Sequence, residues 1–315
     1  MRFAITRNLK VYLTQANEFY QAAQGAKPNT APLFYYYAFL NLAKAVCEIK
    51  KPNFHQTNES YRHGISWTPS KDYLVDMEKE FVNLTTRGVW HELYEAVIGA
   101  SVTIRNPTML KVRDLFAYSA DTSTEYEKAY YKPVRLIYLE NIDNFIAPAK
   151  NEYWIRFSVN RYDLKDLKLT RQKFLEIITY GGSKYIQVQS EKDDLWTFEF
   201  EKPKKIPKRR EGLFRFIKNE IKAMNLVIHM EDGSLVYKIP VQTQLPLRLP
   251  QISILYSLIF WLGSVVRYDP HSVAALRESR YWILIDGFLN QSRIWLLELF
   301  EWQLYQEETT LKSMR

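Results

Sequence analysis

Two almost unbroken apolar stretches organise this chain. Ile252–Val266 is apolar apart from Ser253, Ser257 and Ser264, and it stops at Arg267-Tyr268-Asp269-Pro270. Ala31–Ala45 carries large side chains at nearly every turn position, with Pro32 at its start and Lys50-Lys51-Pro52 closing the pattern beyond it. A helix that is apolar all round belongs in a core. Proline is tolerated in a first turn, where its missing N–H has no intrahelical partner to lose. Residues 1–27, with Phe3, Val11, Leu13, Phe19 and Tyr20, predict one or two further helices. Val273–Arg277 predicts a short helix, and Tyr281–Tyr305 a longer one whose broad apolar face includes Leu284, Phe288, Leu296 and Phe300. Gly287 is a candidate break in it, and the polar tail 306–315 is expected to fray.

The middle of the chain has a different period. Val134–Leu139, Tyr153–Val159, Tyr185–Gln189, Leu195–Phe200, Leu226–Met230 and Leu235–Val241 are short, β-branched and aromatic, as strands are. The first two are expected to pair across an Asn141–Asn151 loop. Glu231-Asp232-Gly233-Ser234 carries a hairpin signal between the last two. Leu167–Tyr180 reads as a helix stopped by Gly181-Gly182. His55–Lys71 reads as a loop, and residues 73–115 mix helical and irregular signals. The prediction is an α+β fold: a helical part at 1–117, a β-rich insertion at 118–245, and a helical part at 246–315 that packs on the first and completes its core.

Composition changes this picture in a few places. Apolar residues at 47% and charged residues at 25% exclude wholesale disorder. Tyr 22, Phe 17 and Trp 8 imply a core of large rings, while Gly 10 leaves little material for phosphate-cradling loops. A net charge of +8 favours acidic partners, RNA or DNA among them. Cys47 alone excludes an internal disulfide and fits a reducing compartment. The apolar run 252–266 is shorter than the roughly 20 residues of a membrane span, and no signal peptide is apparent. A cytoplasmic protein with no membrane association is therefore expected.

Three patches, taken together, resemble the YaaC-like family of bacterial proteins. They are Pro32-Leu33-Phe34-Tyr35-Tyr36-Tyr37 followed by Leu42 and Lys44-Ala45, then His63-Gly64-Ile65-Ser66, then the apolar helix ending in Arg267-Tyr268. Ala38 stands where the family usually has glycine, and no similarity is claimed for residues 118–241. The resemblance implies a fold and no established activity. More distantly, the aromatic helix with its Leu-x-Lys-Ala resembles HEPN domains, many of which are ribonucleases or members of defence and toxin systems. That likeness implies an Arg and a His with four to six residues between them. None of the five histidines has an Arg at that distance upstream: Arg87…His91 and Arg267…His271 each enclose three residues.

Two constellations could carry chemistry. Tyr37, Asn41 and Lys44 share a helix face, and with His63, Arg267 and Tyr268 they would form a pocket for a phosphate-bearing ligand. His63, Arg267 and Lys44 are the candidate catalytic residues of that pocket. A local alternative pairs Arg267 with Asp269 and the end of its own helix. The second constellation is the basic stretch Lys202, Lys204, Lys205, Lys208, Arg209, Arg210, Arg215, Lys218 and Lys222, suited to a nucleic-acid backbone or another polyanion. Walker, GxGxxG and HExxH motifs are absent from the sequence, and no cofactor or metal is expected. The leading expectation is a YaaC-like binding or accessory protein that engages nucleic acid or another polyanion. Alternatives are a divergent HEPN-like ribonuclease and a structural subunit of a protein complex.

Overall fold

A computed structural model of the chain describes residues 2–69, 74–99, 108–179, 184–190, 192–206, 227–231, 234–241 and 249–313. Its first part holds helices α1 (Arg2–Gly25), α2 (Ala31–Lys50), α3 (Val89–Ile98), α4 (Val112–Ala117) and α5 (Ser123–Tyr130), with short strands β1 (Ile65–Ser66), β2 (Phe81–Leu84) and β3 (Thr108–Lys111). The middle carries β4 (Leu136–Ala147), β5 (Glu152–Asn160), α6 (Arg161–Asp166), α7 (Arg171–Thr179), β6 (Tyr185–Val188), β7 (Leu195–Phe200), β8 (Lys204–Lys205), β9 (Val227–Glu231) and β10 (Ser234–Pro240). The last part holds α8 (Gln251–Tyr268), α9 (Pro270–Arg277), α10 (Trp282–Gly287), a π-helical turn at Phe288–Ser292 and α11 (Arg293–Ser313). The fold is α+β, with helices at both ends and a β-rich middle.

Met1–Lys132 and Gln244–Arg315 form one compact unit, and Pro133–Thr243 a second. The helical unit therefore continues past the boundary expected at residue 117. The reason is α5, whose Tyr126, Ala129 and Tyr130 are buried. The Tyr130 ring also lies 5.1 Å from Tyr281 of the C-terminal part.

Within the first unit, α8 is buried without interruption from Gln251 to Val265. Burial on every side is what a continuous apolar run requires. Two of the polar residues of the helix have partners, while the Ser253 hydroxyl is buried without one among the described residues. Ser257 accepts from the Trp90 indole at 2.8 Å and donates to the Ser253 carbonyl at 2.7 Å. Gln251 donates to the Tyr118 carbonyl at 2.6 Å. Among the described residues α8 is the one helix long and apolar enough to cross a bilayer, and 83% of it is buried inside the fold. It meets α2 closely at Gly263, where a Cβ would stand 3.0 Å from the Tyr36 Cβ. The loop segment and α3–α4 also carry an antiparallel three-stranded sheet, β1-β2-β3, that the mixed sequence signals of 73–115 did not reveal.

The second unit is an antiparallel sheet in the order β6-β7-β5-β4-β10-β9, with β8 also paired to β5. Alternation along β5 puts Tyr153, Ile155, Phe157 and Val159 into one core with Leu164 of α6 and Phe174 and Ile178 of α7. The expected 141–151 loop is largely strand: Asn141 to Ala147 pair with Ser158 to Glu152. Phe145 stacks on Trp154 at 5.4 Å across the pair, which draws the polar Asn-Ile-Asp-Asn run into the ladder. The expected 167–180 helix is α7, which starts at Arg171; α6 precedes it, ending at Asp166, and Lys168 between the two takes a positive φ of 55°. The signal Gly181-Gly182 and the turn residues Asp232-Gly233 lie outside the described residues, although Glu231 and Ser234 do pair as a hairpin. Backbone helix runs on to Ser313, through most of the tail expected to fray.

Overpacking at the α2–α8 contact is expected to be destabilising by about 1–3 kcal/mol in Gly263→Leu, because the neighbouring atoms are Tyr36 and the Pro32 carbonyl. Gly25→Ala, with nothing within 4 Å of the new methyl, should stay within about 0.5 kcal/mol of wild type. Urea midpoints of the two variants check the contrast.

Candidate anion-binding site

The segment between α2 and β1 is fixed before it contributes any chemistry. Its start is held by Glu48, whose buried carboxylate accepts from the His55 N–H at 2.9 Å, the Asn53 N–H at 3.1 Å and the Asn8 amide at 3.2 Å. Burial alone would raise that carboxyl, but these donors outweigh it and hold its pKa below the ordinary value. Further along, the carbonyls of Arg62, His63 and Gly64 accept from the N–H groups of Val89 (2.8 Å), Trp90 (2.9 Å) and Thr85 (3.1 Å). Gly64 and Gly88 sit at φ +79° and +126°, and a Cβ on Gly88 would fall 2.5 Å from the Gly64 nitrogen. The two backbones touch, so both positions need glycine. The His63-Gly64 pair is thus built into the entry to α3.

Three elements then enclose a cavity of ≈ 160 Å³. Tyr36 and Tyr37 come from α2, His63, Ser66 and Trp67 from the loop and β1, and Ser264, Arg267 and Tyr268 from the last turns of α8. This volume far exceeds the roughly 10–15 Å³ that one water needs. Trp67 is held from behind, donating to Glu80 at 2.6 Å, and Trp261 of α8 donates to the same carboxylate oxygen at 3.2 Å.

Of the residues singled out from the sequence, Tyr37, His63, Arg267 and Tyr268 line this cavity. Lys44 is half-buried on α2 and outside the lining, yet its charge acts on His63. Asn41 does not face the cavity: its amide donates to the Tyr37 carbonyl one turn back, at 3.0 Å. Tyr36, Ser66, Trp67 and Ser264 were not singled out. Tyr36 lay in the quoted aromatic run, one residue from Tyr37, and its face could not be told from the pattern.

Arg267 donates to the Tyr37 hydroxyl at 2.9 Å, and its guanidinium lies 5.1 Å from the Tyr268 ring centre. The expected local partner is engaged elsewhere. Asp269 caps α9, accepting from the Ser272 N–H at 3.1 Å and from the Ser272 hydroxyl.

Tyr36 and His63 Nδ1 are 2.5 Å apart. Burial raises the Tyr36 phenol well above its ordinary value. Partial burial, then Lys44 and Arg267, lower the His63 imidazole below 6.5. Both groups are therefore neutral near pH 7. The bond is satisfied with no buried donor left over when the phenol donates to Nδ1, which places the imidazole proton on Nε2. The lining residues can then supply donors from the Arg267 guanidinium, the His63 imidazole and the hydroxyls of Tyr37, Ser66 and Ser264. Among the described residues its lining contains no carboxylate.

A model of the YaaC-like Protein family matches residues 2–304. The chain belongs to this family. No curated protein and no solved structure matches it. The match spans most of the helical unit, the inserted sheet and every residue of the cavity.

The basic stretch is placed only in part. Lys208, Arg209, Arg210, Arg215, Lys218 and Lys222 lie outside the described residues. Lys202 is exposed, Lys204 lies over the Phe200 ring at 5.1 Å, and Lys205 pairs with Glu152 at 3.0 Å. Two of its described lysines thus already have local contacts.

The lowered His63 pKa has a signed consequence. Between 6.5 and the folded value the unfolded chain binds more protons than the native one, so native stability falls as pH falls through that window. The slope of melting temperature against pH below about 6.5 should flatten in His63→Gln. A slope unchanged by the substitution would show that the imidazole is not held neutral.

Proposed function

We propose that this YaaC-like protein is a binding protein whose cavity holds the anionic group of a phosphate-class ligand. One observation carries the reading. Arg267 closes a cavity lined by hydrogen-bond donors and, among the described residues, without a carboxylate, while the acid nearest to it in sequence, Asp269, caps the next helix. A guanidinium with spare N–H groups recognises phosphate oxygens through paired charge-assisted bonds. Lys44 adds positive potential from deeper in the fold, and Tyr37 and Ser66 add neutral donors. The ribonuclease alternative would use His63 as a base, and with the Tyr36 phenol donating to Nδ1 the neutral ring carries its proton on Nε2 and has no free lone pair for that role. Binding without catalysis is therefore the reading the geometry supports best.

Calorimetric titration of orthophosphate into the full chain tests it. Wild type should bind, and Arg267→Ala should bind roughly 10- to 100-fold more weakly, the range for losing a hydrogen-bonded charged contact. Absence of phosphate binding, or equal affinity in the variant, would remove the proposal. A parallel titration with short single-stranded RNA identifies the carrier of the anion. RNA binding that falls in Arg267→Ala puts a backbone phosphate in the cavity. RNA binding that falls only when Lys202, Lys204 and Lys208 to Arg210 are neutralised places the nucleic acid on the basic stretch instead.

A further inference from the structure

The partner chosen for His63 has a consequence for how charge enters the cavity. A histidine fixed by a backbone carbonyl keeps its proton on the bonded nitrogen, and one fixed by a carboxylate is biased towards the cation. His63 is held instead by a phenol, which can donate or accept. With the imidazole neutral and its proton on Nε2, Tyr36 donates to Nδ1. If Nδ1 gains a proton, the same short contact survives with the direction reversed, and the Tyr36 O–H is released. Tyr36 lines the cavity, so the released hydroxyl can donate to whatever lies there.

The charges facing His63 come from every side of the cavity. Tyr36, Tyr37 and Lys44 approach from α2, and Arg267 and Tyr268 from α8. Glu80 of β2 is occupied by the indoles of Trp67 and Trp261. Arg267 in the lining and Lys44 behind it, with no carboxylate among the described lining residues, disfavour a third cation at His63. An anion carrying two charges reverses that balance, because it sits among Arg267, Lys44 and the imidazole.

We propose that the cavity captures a tetrahedral dianion together with one proton, taken from solvent onto His63 Nδ1 as the Tyr36 hydroxyl turns from His63 to the ligand. This rests on the anion-binding reading given above and names the ligand's charge and the regulation of its binding. Affinity should rise as pH falls, by up to about tenfold per pH unit between the His63 values of the empty and filled states.

Sulfate is the probe, since it keeps its charge through this range and every proton taken up belongs to the protein. Calorimetry of sulfate binding at about pH 7, in buffers of different ionisation enthalpy, reads the protons taken up. Imidazole NMR of the same wild-type chain reads the His63 titration with and without sulfate. The expected results are net proton uptake and an upward shift of the His63 titration on adding sulfate. His63→Gln should bind more weakly, with uptake and pH dependence both lost. Sulfate that binds wild type with no proton uptake, or with uptake unchanged in His63→Gln, overturns this inference and leaves the cavity reading standing. Sulfate that fails to bind also overturns this inference, and if orthophosphate fails to bind as well, or either anion binds equally to Arg267→Ala, the cavity reading falls with it.

Discussion

The packing of α2 against α8 is the contact on which the rest of the helical unit depends. It is possible because Gly263 presents no side chain where Tyr36 crosses. A larger residue there would push the helices apart, and the Tyr36 and Tyr37 rings would separate from Arg267. The helices also come from opposite ends of the chain, so the contact determines whether polar groups more than two hundred residues apart become neighbours. The bond from Arg267 to Tyr37 is a direct product of it. Apolar burial supplies the attraction, and Ser257 and Gln251 are tolerable inside α8 because Trp90, Tyr118 and Ser253 provide their partners.

A second constraint is how the carboxylates are used. Glu48 gathers the N–H groups that start the His-Gly segment, Glu80 ties two indoles together behind the cavity, and Asp269 begins α9. Each satisfies donors that would otherwise be left unpaired, which is the ordinary reason for burying an acid. The arrangement also leaves Arg267 bonded to a phenol and stacked on a ring. Positive charge at the mouth of the cavity is therefore a by-product of structural bonds made elsewhere. A balanced Arg–Asp pair at 267 and 269 would have cancelled it.

The sequence disclosed the parts of this arrangement that follow from periodicity. Both buried helices, the outline of most strands and the membership of Tyr37, His63, Arg267 and Tyr268 in one neighbourhood were legible from apolar runs and the residues that end them. Tyr36 was not separable from Tyr37, because in a helix buried nearly all round no single face is marked. Asn41 misled for a related reason: shared helix spacing places side chains on one face, but a buried amide can turn back to its own carbonyls. The 141–151 segment reads as a loop because Asn and Asp dominate it. Its strand character comes from cross-strand partners on β5, which local propensity does not record. Glu80 carried no signal at all, since its role exists only once Trp67 and Trp261 meet it.

The two cations of the cavity differ in what they can contribute. Arg267 is exposed at the rim, so it can contact a ligand directly while its long-range field is weakened by solvent and salt. Lys44 lies deeper, and burial already lowers its pKa, a sign that its charge is poorly hydrated. From there it acts through potential more than through contact, and the lower dielectric around it makes that potential less sensitive to ionic strength. The shift it imposes on His63 is the visible trace of this field. Orientation of a bound anion then falls to Arg267, and the tendency of the cavity to admit negative charge falls largely to Lys44. That division follows from burial alone.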